Sequence, residues 1–374
     1  MRTLMNCFVK VWLDFLKVLA FGLAISLAVF QSLGTAQTVE PNPCPKPKIS
    51  DCPKPGSMVG VSWANFQDDR WKADEAAIKA TLEAGGASYI SSDAQGSAAK
   101  QLSDIDAMIS QGVDVLIINP WDPQALASAI DYAEDAGIPV ISYDGVIEDS
   151  RVLSLTFDEV AVGRMIAEGV TAASPSGNFA IIKGDPGSPN TKLVLQGMMD
   201  VVQPLIDSGD IRIVGEASTD GWSAENAKRN MEGILNSNGN AVDAVLAQSN
   251  AMLGGVIAAL EAQGLNASVG GQDTGGLAAL NRLARGTQTV SVWRDPRSLG
   301  MVAAALSGML AEGTEPDQIN GVAVVTSPDG TDVRALLMIP TSITQSNLGI
   351  VIDAGVISKD QACDGAMPGV PACF

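Results

Sequence analysis

The sequence predicts an α/β protein with two doubly wound domains, each built on a parallel β-sheet. Short apolar runs rich in β-branched residues recur along the 374 residues, and each is followed by a turn and a helix-period stretch. Because these runs do not alternate with polar residues, they are typical of parallel strands that helices cover on both faces. The segments that begin at Gly112 and Ala241 share the order strand, polar strand end and helix, so one architectural unit occurs in both halves.

The predicted elements of the first half alternate between strand and helix. Strands are predicted at Met58–Trp63, Ser88–Ser91, Asp114–Asn119 and Pro139–Tyr143. Helices are predicted near Arg70–Ala84, Ala98–Gln111 and Pro123–Ala136. A helix between two successive strands provides the crossover that parallel pairing needs.

The second half repeats this alternation. Its strands are predicted at Asn178–Lys183, Ile211–Glu216, Asp243–Gln248 and Ala267–Gly271. Its helices are predicted at Thr191–Asp207, Ser223–Ser237, Ala251–Gln263 and Gly275–Arg285. The length of the chain also suits two domains better than one.

The amino terminus has the three-part layout of an export signal. Cationic residues precede an apolar run from Val18 to Leu33, which leads to the small-residue site Gly34-Thr35-Ala36. The cations are Arg2, Lys10 and Lys17. The run is shorter than the roughly 20 residues that a membrane anchor needs. We therefore expect cleavage after Ala36 and a periplasmic mature chain that does not insert into the membrane.

The mature chain is strongly acidic. Cleavage removes three cations and Asp14, which changes the formal charge from −19 for the whole chain to −21. Such a surface repels nucleic acid and anionic lipid, which argues against both as partners.

The composition also excludes much catalytic chemistry. The sequence contains no histidine, so a histidine general base, a Ser-His-Asp or Cys-His nucleophile and a histidine-ligated zinc site are all excluded. Acidic pairs occur, but in so acidic a protein they are usually solvated surface. We expect neither a catalytic site nor a cofactor or metal.

Four cysteines remain after cleavage removes Cys7, and they form two close-set pairs. Cys44 and Cys52 lie near the start of the mature chain, and Cys363 and Cys373 lie near its end. An even number of cysteines in an exported protein indicates disulfides. Pairing within each close-set pair is the simplest arrangement, and pairing between the two ends is the alternative. Neither spacing matches the short CxxC pattern of a zinc site.

Polar and aromatic residues concentrate at the carboxyl ends of the predicted strands, where ligands bind in open parallel sheets. These positions hold Trp63, Asn119 with Trp121, Tyr143 with Asp144, Lys183 with Asp185, Asp220 with Trp222, Ser249 with Asn250, Gln272 with Asp273, and Trp293 with Arg294. Carboxylates, amides and guanidinium groups can pair with sugar hydroxyls, and indole rings can cover the apolar faces of a sugar ring. We therefore predict a pocket for a small polar ligand, in particular a monosaccharide.

Several segments resemble those of a known family. They are VGVSWANFQDDRW, IDAMISQGVDVLIINPWD, GIPVISYD, FDEVAVG, DGWSAENA, GGQDTGGLAAL and GTQTVSVWRD, and they keep their spacing between about Met58 and Gly355. The chain resembles the type I periplasmic sugar-binding proteins of ABC importers, in particular the branch of D-xylose-binding and multiple-sugar-binding proteins. The resemblance implies a clamshell of two lobes joined by a three-strand hinge, with the ligand in the cleft between them.

These features together imply a domain organisation. The expected segments are a signal peptide at 1–36, a Cys- and Pro-rich extension at 37–56, an amino-terminal lobe from 57–156 and 275–328, a carboxy-terminal lobe from 157–274 and 329–360, and a Cys-bearing tail at 361–374. The three hinge strands are expected near Leu155–Asp158, Gln272–Gly275 and Val324–Thr331.

The resemblance also implies a set of ligand contacts. The matching positions are Arg70, Trp71, Asp144, Asn190, Trp222 and Asp273, and the strand-end residues Trp63, Ser249, Asn250 and Arg294 complete the expected site. Two positions depart from the family pattern. Gly145 stands where an arginine is usual, and Ser249-Asn250 stands where Asn-Asp is usual. The pocket therefore has a different hydrogen-bonding capacity, and Gly145 would leave room for a larger or differently substituted ligand.

The sequence thus predicts the periplasmic substrate-binding component of a sugar ABC transporter. The expected ligand is a xylose-like pentose or a related aldose, the expected partner is a membrane permease, and the expected state is a monomer. The alternative is a sensor that presents a sugar or related polyol signal to a membrane receptor. A sugar-processing enzyme is disfavoured, because the chain lacks histidine and any cofactor fingerprint.

Overall fold

The structure is a computed structural model that describes residues 55–374 apart from 67–68, 274–275 and 328–329. For Asp69, Arg70, Pro189 and Asp273 it describes the backbone alone. The expected signal peptide, Cys44 and Cys52 lie outside the described residues.

The predicted strands and helices are found to within a few residues at each end, and further elements lie in stretches for which none was predicted. The strands are β1 (Met58–Trp63), β2 (Ser88–Asp93), β3 (Val115–Ile118), β4 (Val140–Tyr143), β5 (Leu153–Phe157), β6 (Gly177–Lys183), β7 (Ile211–Ser218), β8 (Ala244–Ala247), β9 (Ser268–Asp273), β10 (Val290–Trp293), β11 (Val322–Thr326), β12 (Asp332–Met338) and β13 (Thr341–Ile343). The α-helices are α1 (Asp69–Gly85), α2 (Ala98–Ser110), α3 (Ala127–Asp135), α4 (Glu159–Ala173), α5 (Pro189–Asp207), α6 (Ala224–Ser237), α7 (Asn250–Ala262), α8 (Leu277–Arg285), α9 (Pro296–Ala311), α10 (Gly349–Asp353) and α11 (Lys359–Ala362). Short 3-10 helices occur at Pro123–Leu126, Asp220–Trp222, Pro316–Gln318 and Pro371–Cys373. Among these described helices, none has both the length and the apolar character that a membrane crossing requires.

Two sheets organise these elements into a first and a second lobe. The first sheet has the strand order β11-β12-β5-β4-β3-β1-β2, and the second has the order β13-β10-β9-β8-β6-β7. The pairs β11–β12 and β10–β13 are antiparallel, and the remaining pairs are parallel. The predicted fold class is confirmed, with one antiparallel strand at an edge of each sheet.

Both faces of each sheet are covered, as the apolar strands predicted. In β3, Val115 and Ile117 pack into one core, while Leu116 and Ile118 pack into another on the opposite face. In β8, Val245 and Leu246 divide between two cores in the same way. Successive strand residues point to opposite faces, so a fully apolar strand is stable where helices cover both.

The described chain crosses between the lobes at three places, and one of them matches its expected position. The first crossing leads from β5 to α4, the second from β10 to α9, and the third from β12 to β13. A crossing was expected at Gln272–Gly275, but β9, which ends at Asp273, and α8, which begins at Leu277, both belong to the second lobe. Another crossing was expected at Val324–Thr331, but β11, which ends at Thr326, and β12, which begins at Asp332, pair antiparallel within the first sheet.

Because two of the three crossings lie elsewhere than expected, the lobe boundaries also differ from the expected ones. α8 and β10, within 275–328, belong to the second lobe, and β12, within 329–360, belongs to the first. The glycine-rich stretch after β9 has the composition of a linker, but the elements on either side of it, β9 and α8, belong to the same lobe. β12 pairs with β5, which lies far away in the sequence, so a local pattern does not show the sheet to which β12 belongs.

Two glycines allow α4 and α5 to pack with their backbones in contact. A β-carbon on Gly163 would lie 1.9 Å from the carbonyl oxygen of Val194, and one on Gly197 would lie 1.9 Å from that of Val160. No larger side chain fits at such a distance. The amino termini of the two helices, which begin at Glu159 and Pro189, are therefore held side by side.

The carboxy-terminal tail is closed by a disulfide and packs on α8. Cys363 and Cys373 are bonded, which confirms the expected pairing at this end. The side chain of Asn281 donates to the carbonyl oxygen of Asp364 at 2.8 Å, and the tail residue Val370 is buried in the core of the second lobe. The disulfide therefore fixes a segment that is part of this core.

The Cys363→Ser/Cys373→Ser double variant is expected to be less stable than the parent by about 2–3 kcal/mol, because the unfolded chain gains the freedom of the opened loop. Urea unfolding of the oxidised proteins measures this difference. The variant keeps Cys44 and Cys52, so any effect of those residues cancels in the comparison. Equal unfolding midpoints and slopes would show that the disulfide does not stabilise the fold.

Candidate ligand-binding site

A cavity of about 320 Å3 lies at the carboxyl ends of several strands. Its walls are formed by Asp144, Glu159, Ser188, Asn190, Val194, Trp222, Ser249, Ala251, Gln272 and Arg294. Asp144 follows β4 of the first lobe, Glu159 and Arg294 stand at the first two lobe crossings, and the remaining residues belong to the second lobe. The volume is typical of small-molecule pockets, which begin at roughly 300 Å3. The cavity therefore lies between the lobes, beside the hinge.

Asp144 brings a carboxylate from the first lobe to the cavity. Its backbone N–H donates to the carbonyl oxygen of Leu155 at 2.9 Å, and its φ of +53° is in the left-handed region, which aspartate tolerates better than most residues. The preceding Tyr143 is buried, and its hydroxyl donates to the buried carboxylate of Asp74. These contacts fix the backbone that carries the Asp144 side chain.

Trp222 lines the second-lobe wall and is positioned by a carboxylate. Asp185 accepts hydrogen bonds from the N–H of Gly221 at 2.7 Å and from the N–H of Gly187 at 2.8 Å. These bonds, that of Gly221 first, lower the pKa of Asp185, so its carboxylate is ionised at neutral pH. A β-carbon on Gly184 would come within 2.1 Å of the Trp222 ring, so the indole lies directly against this glycine.

A buried ion pair joins the first two lobe crossings at the cavity. Arg294 Nη1 donates to Glu159 Oε1 at 2.9 Å, and the two side chains are 12% and 5% exposed. Asn190 Nδ2 lies 3.5 Å from the same carboxylate oxygen, and the Arg294 guanidinium lies 6.0 Å from the centre of the Phe157 ring. Each charge compensates for the burial of the other, so removal of either one alone is costly.

Two buried glutamines connect the strand ends behind the cavity. Gln248 accepts from the N–H of Gly184 at 2.8 Å and donates to the carbonyl oxygen of Thr191 at 3.0 Å. Gln272 Nε2 donates to the carbonyl oxygen of Gln248 at 2.9 Å. The Oε1 of Gln272 and the Nε of Arg294 are buried and have no hydrogen-bond partner among the described residues. A hydroxyl group can donate to the first atom and accept from the second, which offsets the cost of leaving each unpaired.

Comparison with known proteins assigns the family of this chain. Residues 59–315 match the family model described as the periplasmic binding protein domain. The chain belongs to the periplasmic binding protein family. The matched range begins in β1, ends after α9 and includes each residue that lines the cavity.

Relatives of this periplasmic binding protein are named for the sugars that they bind. The chain is 36% identical over 294 residues to the D-xylose-binding periplasmic protein of Escherichia coli (strain K12), covering 78% of this chain and 87% of that protein. It is 27% identical over 332 residues to the multiple sugar-binding periplasmic receptor ChvE of Rhizobium radiobacter, covering 81% and 91%. A solved ABC transporter solute binding protein from Clostridium phytofermentans, with bound beta-D-glucose, has a TM-score of 0.70 and 28% identity, covering 82% of this chain and 100% of that one. The resemblance to the sugar-binding branch is confirmed.

The cavity brings together about half of the residues that the sequence predicted as ligand contacts. Those that line it are Asp144, Asn190, Trp222, Ser249 and Arg294. Ser249 has a second role, because its hydroxyl caps α7 by accepting from the N–H of Met252 at 3.2 Å. Arg70 begins the first turn of α1 and Asp273 ends β9, but the side chains of both lie outside the described part of the chain. Their sugar contacts stay predictions.

Asn250 follows Ser249 but connects α7 to β10 instead of lining the cavity. Its Nδ2 donates to the hydroxyl of Ser291 at 2.8 Å, and its Oδ1 accepts from Gln288 Nε2 at 2.8 Å. The side chain is buried and both amide atoms are already used. This geometry indicates a packing role for Asn250.

Trp63 and Trp71 support the first lobe behind the cavity and do not form its described walls. Trp63 is 1% exposed, and its ring packs 5.8 Å from that of Tyr143 and 5.7 Å from that of Trp71. Trp121 is 51% exposed and also lies outside the lining. Trp63 therefore acts on the site by fixing Tyr143, the residue that precedes Asp144.

The space beside Gly145 is partly filled by the protein itself. A β-carbon at this position would lie 3.0 Å from Cγ of Pro120. The carbonyl oxygen of Gly145 accepts from the Ser142 hydroxyl at 2.6 Å. Close approach to Pro120 thus gives a structural reason for glycine here, and the expected extra room for a ligand stays a prediction.

Glu159 and Ser188 line the cavity but were not among the predicted contacts, whereas Gln272 was marked at a strand end without being assigned a ligand contact. Glu159 is part of the segment FDEVAVG, which carries the family resemblance, so the sequence did mark its neighbourhood. Within residues 55–374, less the short gaps, no three His, Cys, Asp or Glu side chains are grouped so as to hold a metal ion. The described lining consists of polar and charged side chains, one indole and the apolar residues Val194 and Ala251.

Proposed function

We propose that this protein is an exported periplasmic receptor that binds a monosaccharide between its lobes and delivers it to the permease of an ABC importer. The proposed ligand is a xylose-like pentose or a related aldose. The similarity to a D-xylose-binding protein supports the choice of sugar, and the likeness to an ABC transporter solute binding protein supports the role in import.

The composition of the cavity is the observation that carries the proposal. Asp144 can accept from sugar hydroxyls, Asn190 can donate and accept, and Arg294 can donate. Trp222 provides an apolar face that matches the C–H face of a sugar ring. Carboxylate, amide, guanidinium and indole groups around a volume of about 320 Å3 form a site that suits one sugar ring.

The position of the cavity supports a role in transport and not in catalysis. A site formed by both lobes at the hinge is completed when the lobes close on a ligand, and it is opened when they separate. A binding protein needs this reversible closure and no chemical step. The absence of histidine removes the commonest general base, which is also consistent with a protein that releases its ligand unchanged.

Calorimetry on the mature chain with a panel of aldoses and polyols tests the proposal. We expect saturable binding of at least one aldose, with D-xylose, D-ribose, D-glucose and D-galactose as the first probes and myo-inositol and glycerol as comparisons. The Trp222→Ala variant should lose about 2 kcal/mol, roughly a 30-fold loss of affinity, because the stacking surface is removed. Binding of a polyol with no response to any aldose would contradict the proposed ligand class.

A further inference from the structure

Among the described residues that line the cavity, two are acidic and one is basic. Asp144 and Glu159 are acidic, Arg294 is basic, and the other described lining residues are neutral. Arg294 is therefore the group in this lining that could attract an anionic ligand. An arginine binds carboxylates strongly, since its planar donors match the two carboxylate oxygens.

Glu159 is already paired with this guanidinium through Nη1. The two groups are 2.9 Å apart and almost fully buried, so water screens their attraction less than it would at the surface. Asn190 adds a donor 3.5 Å from the same oxygen. A second carboxylate brought to Arg294 by a ligand would have to displace Glu159 or lie beside it, and like charges in a buried site repel.

The fold keeps Glu159 in this position. Glu159 is the first residue of α4, where the helix dipole favours a carboxylate, and Asp158 caps the helix by accepting from the N–H of Ala161 at 2.9 Å. The backbone contact at Gly163 and Gly197 prevents α4 from shifting against α5. Glu159 is thus part of the rigid wall of the cavity.

We infer that Glu159 determines ligand specificity by neutralising Arg294, so that the site selects neutral sugars and rejects sugars that carry a carboxylate. This inference rests on the proposed function of the cavity as a monosaccharide site. It assigns to Glu159 a role that differs from hydrogen bonding to the sugar. The preference for neutral sugars depends on the negative charge of Glu159, which cancels the positive charge of Arg294, and not on the shape of the Glu159 side chain.

Matched sugars test this role. D-xylose, D-glucose and D-glucuronate share one pyranose ring and differ at C5, which carries hydrogen, hydroxymethyl or carboxylate; D-galactose and D-galacturonate form a second matched pair. Calorimetry on the parent should show at least about 100-fold weaker binding of each uronate than of its neutral counterpart, roughly the penalty of one unfavourable buried charge. The Glu159→Gln variant keeps the size of the side chain and should reduce this preference at least about 10-fold, through tighter uronate binding.

Two further variants distinguish the local charge from other effects. Glu168→Gln removes an exposed carboxylate from the same helix and should leave the preference at the parent value. Glu159→Gln/Arg294→Gln removes both charges, and it should lose the uronate binding that Glu159→Gln gained. If Glu159→Gln unfolds, this uncharged double variant still measures whether the pair controls the preference.

The outcomes separate this inference from the proposed function. The role of Glu159 would be overturned, and the proposed function left intact, if the parent binds neutral aldoses and Glu159→Gln and Glu168→Gln show the same ratio of neutral-sugar to uronate affinity. A parent that binds the uronates more tightly would also overturn it. A parent that binds neither member of either pair, nor D-xylose, would remove the proposed function and this inference together.

Discussion

Replacing Gly184 by alanine is expected to weaken sugar binding by at least about 2 kcal/mol, roughly 30-fold, although Gly184 is not itself a lining residue. The new β-carbon would lie 2.1 Å from the Trp222 ring, so the indole must leave its place on the cavity wall. The main chain of Gly184 does not need a left-handed conformation, and alanine should therefore fold normally there. Calorimetry with D-xylose or another aldose that the parent binds measures the loss.

A double variant shows whether this loss occurs through the indole. If Gly184→Ala acts by displacing Trp222, then Gly184→Ala/Trp222→Ala should bind sugar as Trp222→Ala does. In the double variant the indole is already absent, so the β-carbon at position 184 cannot displace it. Gly254→Ala is the matched control, since its β-carbon would meet its nearest atom, in Arg282, at an ordinary 3.6 Å. Additive losses in the double variant would refute the proposed mechanism.

The Arg294→Leu variant is expected to lose about 3–5 kcal/mol of unfolding free energy, because it leaves the buried carboxylate of Glu159 without its cation. Leucine retains part of the volume of arginine, so lost packing is a smaller contribution. Urea unfolding without sugar measures the effect on the fold alone. A loss below about 1 kcal/mol would show that the pair is solvated like a surface ion pair.

A surface pair provides the control for this measurement. Arg229 and Glu225 are 2.7 Å apart, but their side chains are 62% and 79% exposed. Arg229→Leu should therefore change stability by less than about 1 kcal/mol. Glu159→Gln/Arg294→Leu should recover part of the loss, because the uncompensated charge is then absent.

The fold could be predicted because its strongest signals are local. The run Val115–Ile118 is apolar at each position, and the structure confirms that both of its faces are buried. The assignment of β12 to the first lobe could not be predicted from a local pattern of this kind. Asp332 and Arg334 interrupt its apolar pattern, and its place in the first sheet depends on pairing with β5, which lies far away in the sequence.

The site was predicted less completely, because a residue type at a strand end does not reveal its partners. Asp144 and Trp222 lie where the strand-end rule placed them, at the cavity. Asn250 satisfies the same rule, yet Ser291 and Gln288 from elsewhere in the chain engage its amide. Glu159 follows the carboxyl end of β5 by two residues, but only a hinge segment was predicted there, and an acidic residue at the first position of a helix usually serves the helix terminus.

The glycine contact between α4 and α5 also affects how much order a sugar must impose when it binds. Glu159 and Asn190 lie in the first turns of two helices whose backbones already touch, so the spacing of these turns does not depend on the ligand. Binding then loses little conformational entropy on this side of the cavity, because these groups are pre-organised. The entropic cost falls mainly on the approach of the lobe that carries Asp144. Changes at Gly163 or Gly197 should therefore alter sugar affinity through the entropy of binding, even though neither glycine is part of the cavity wall.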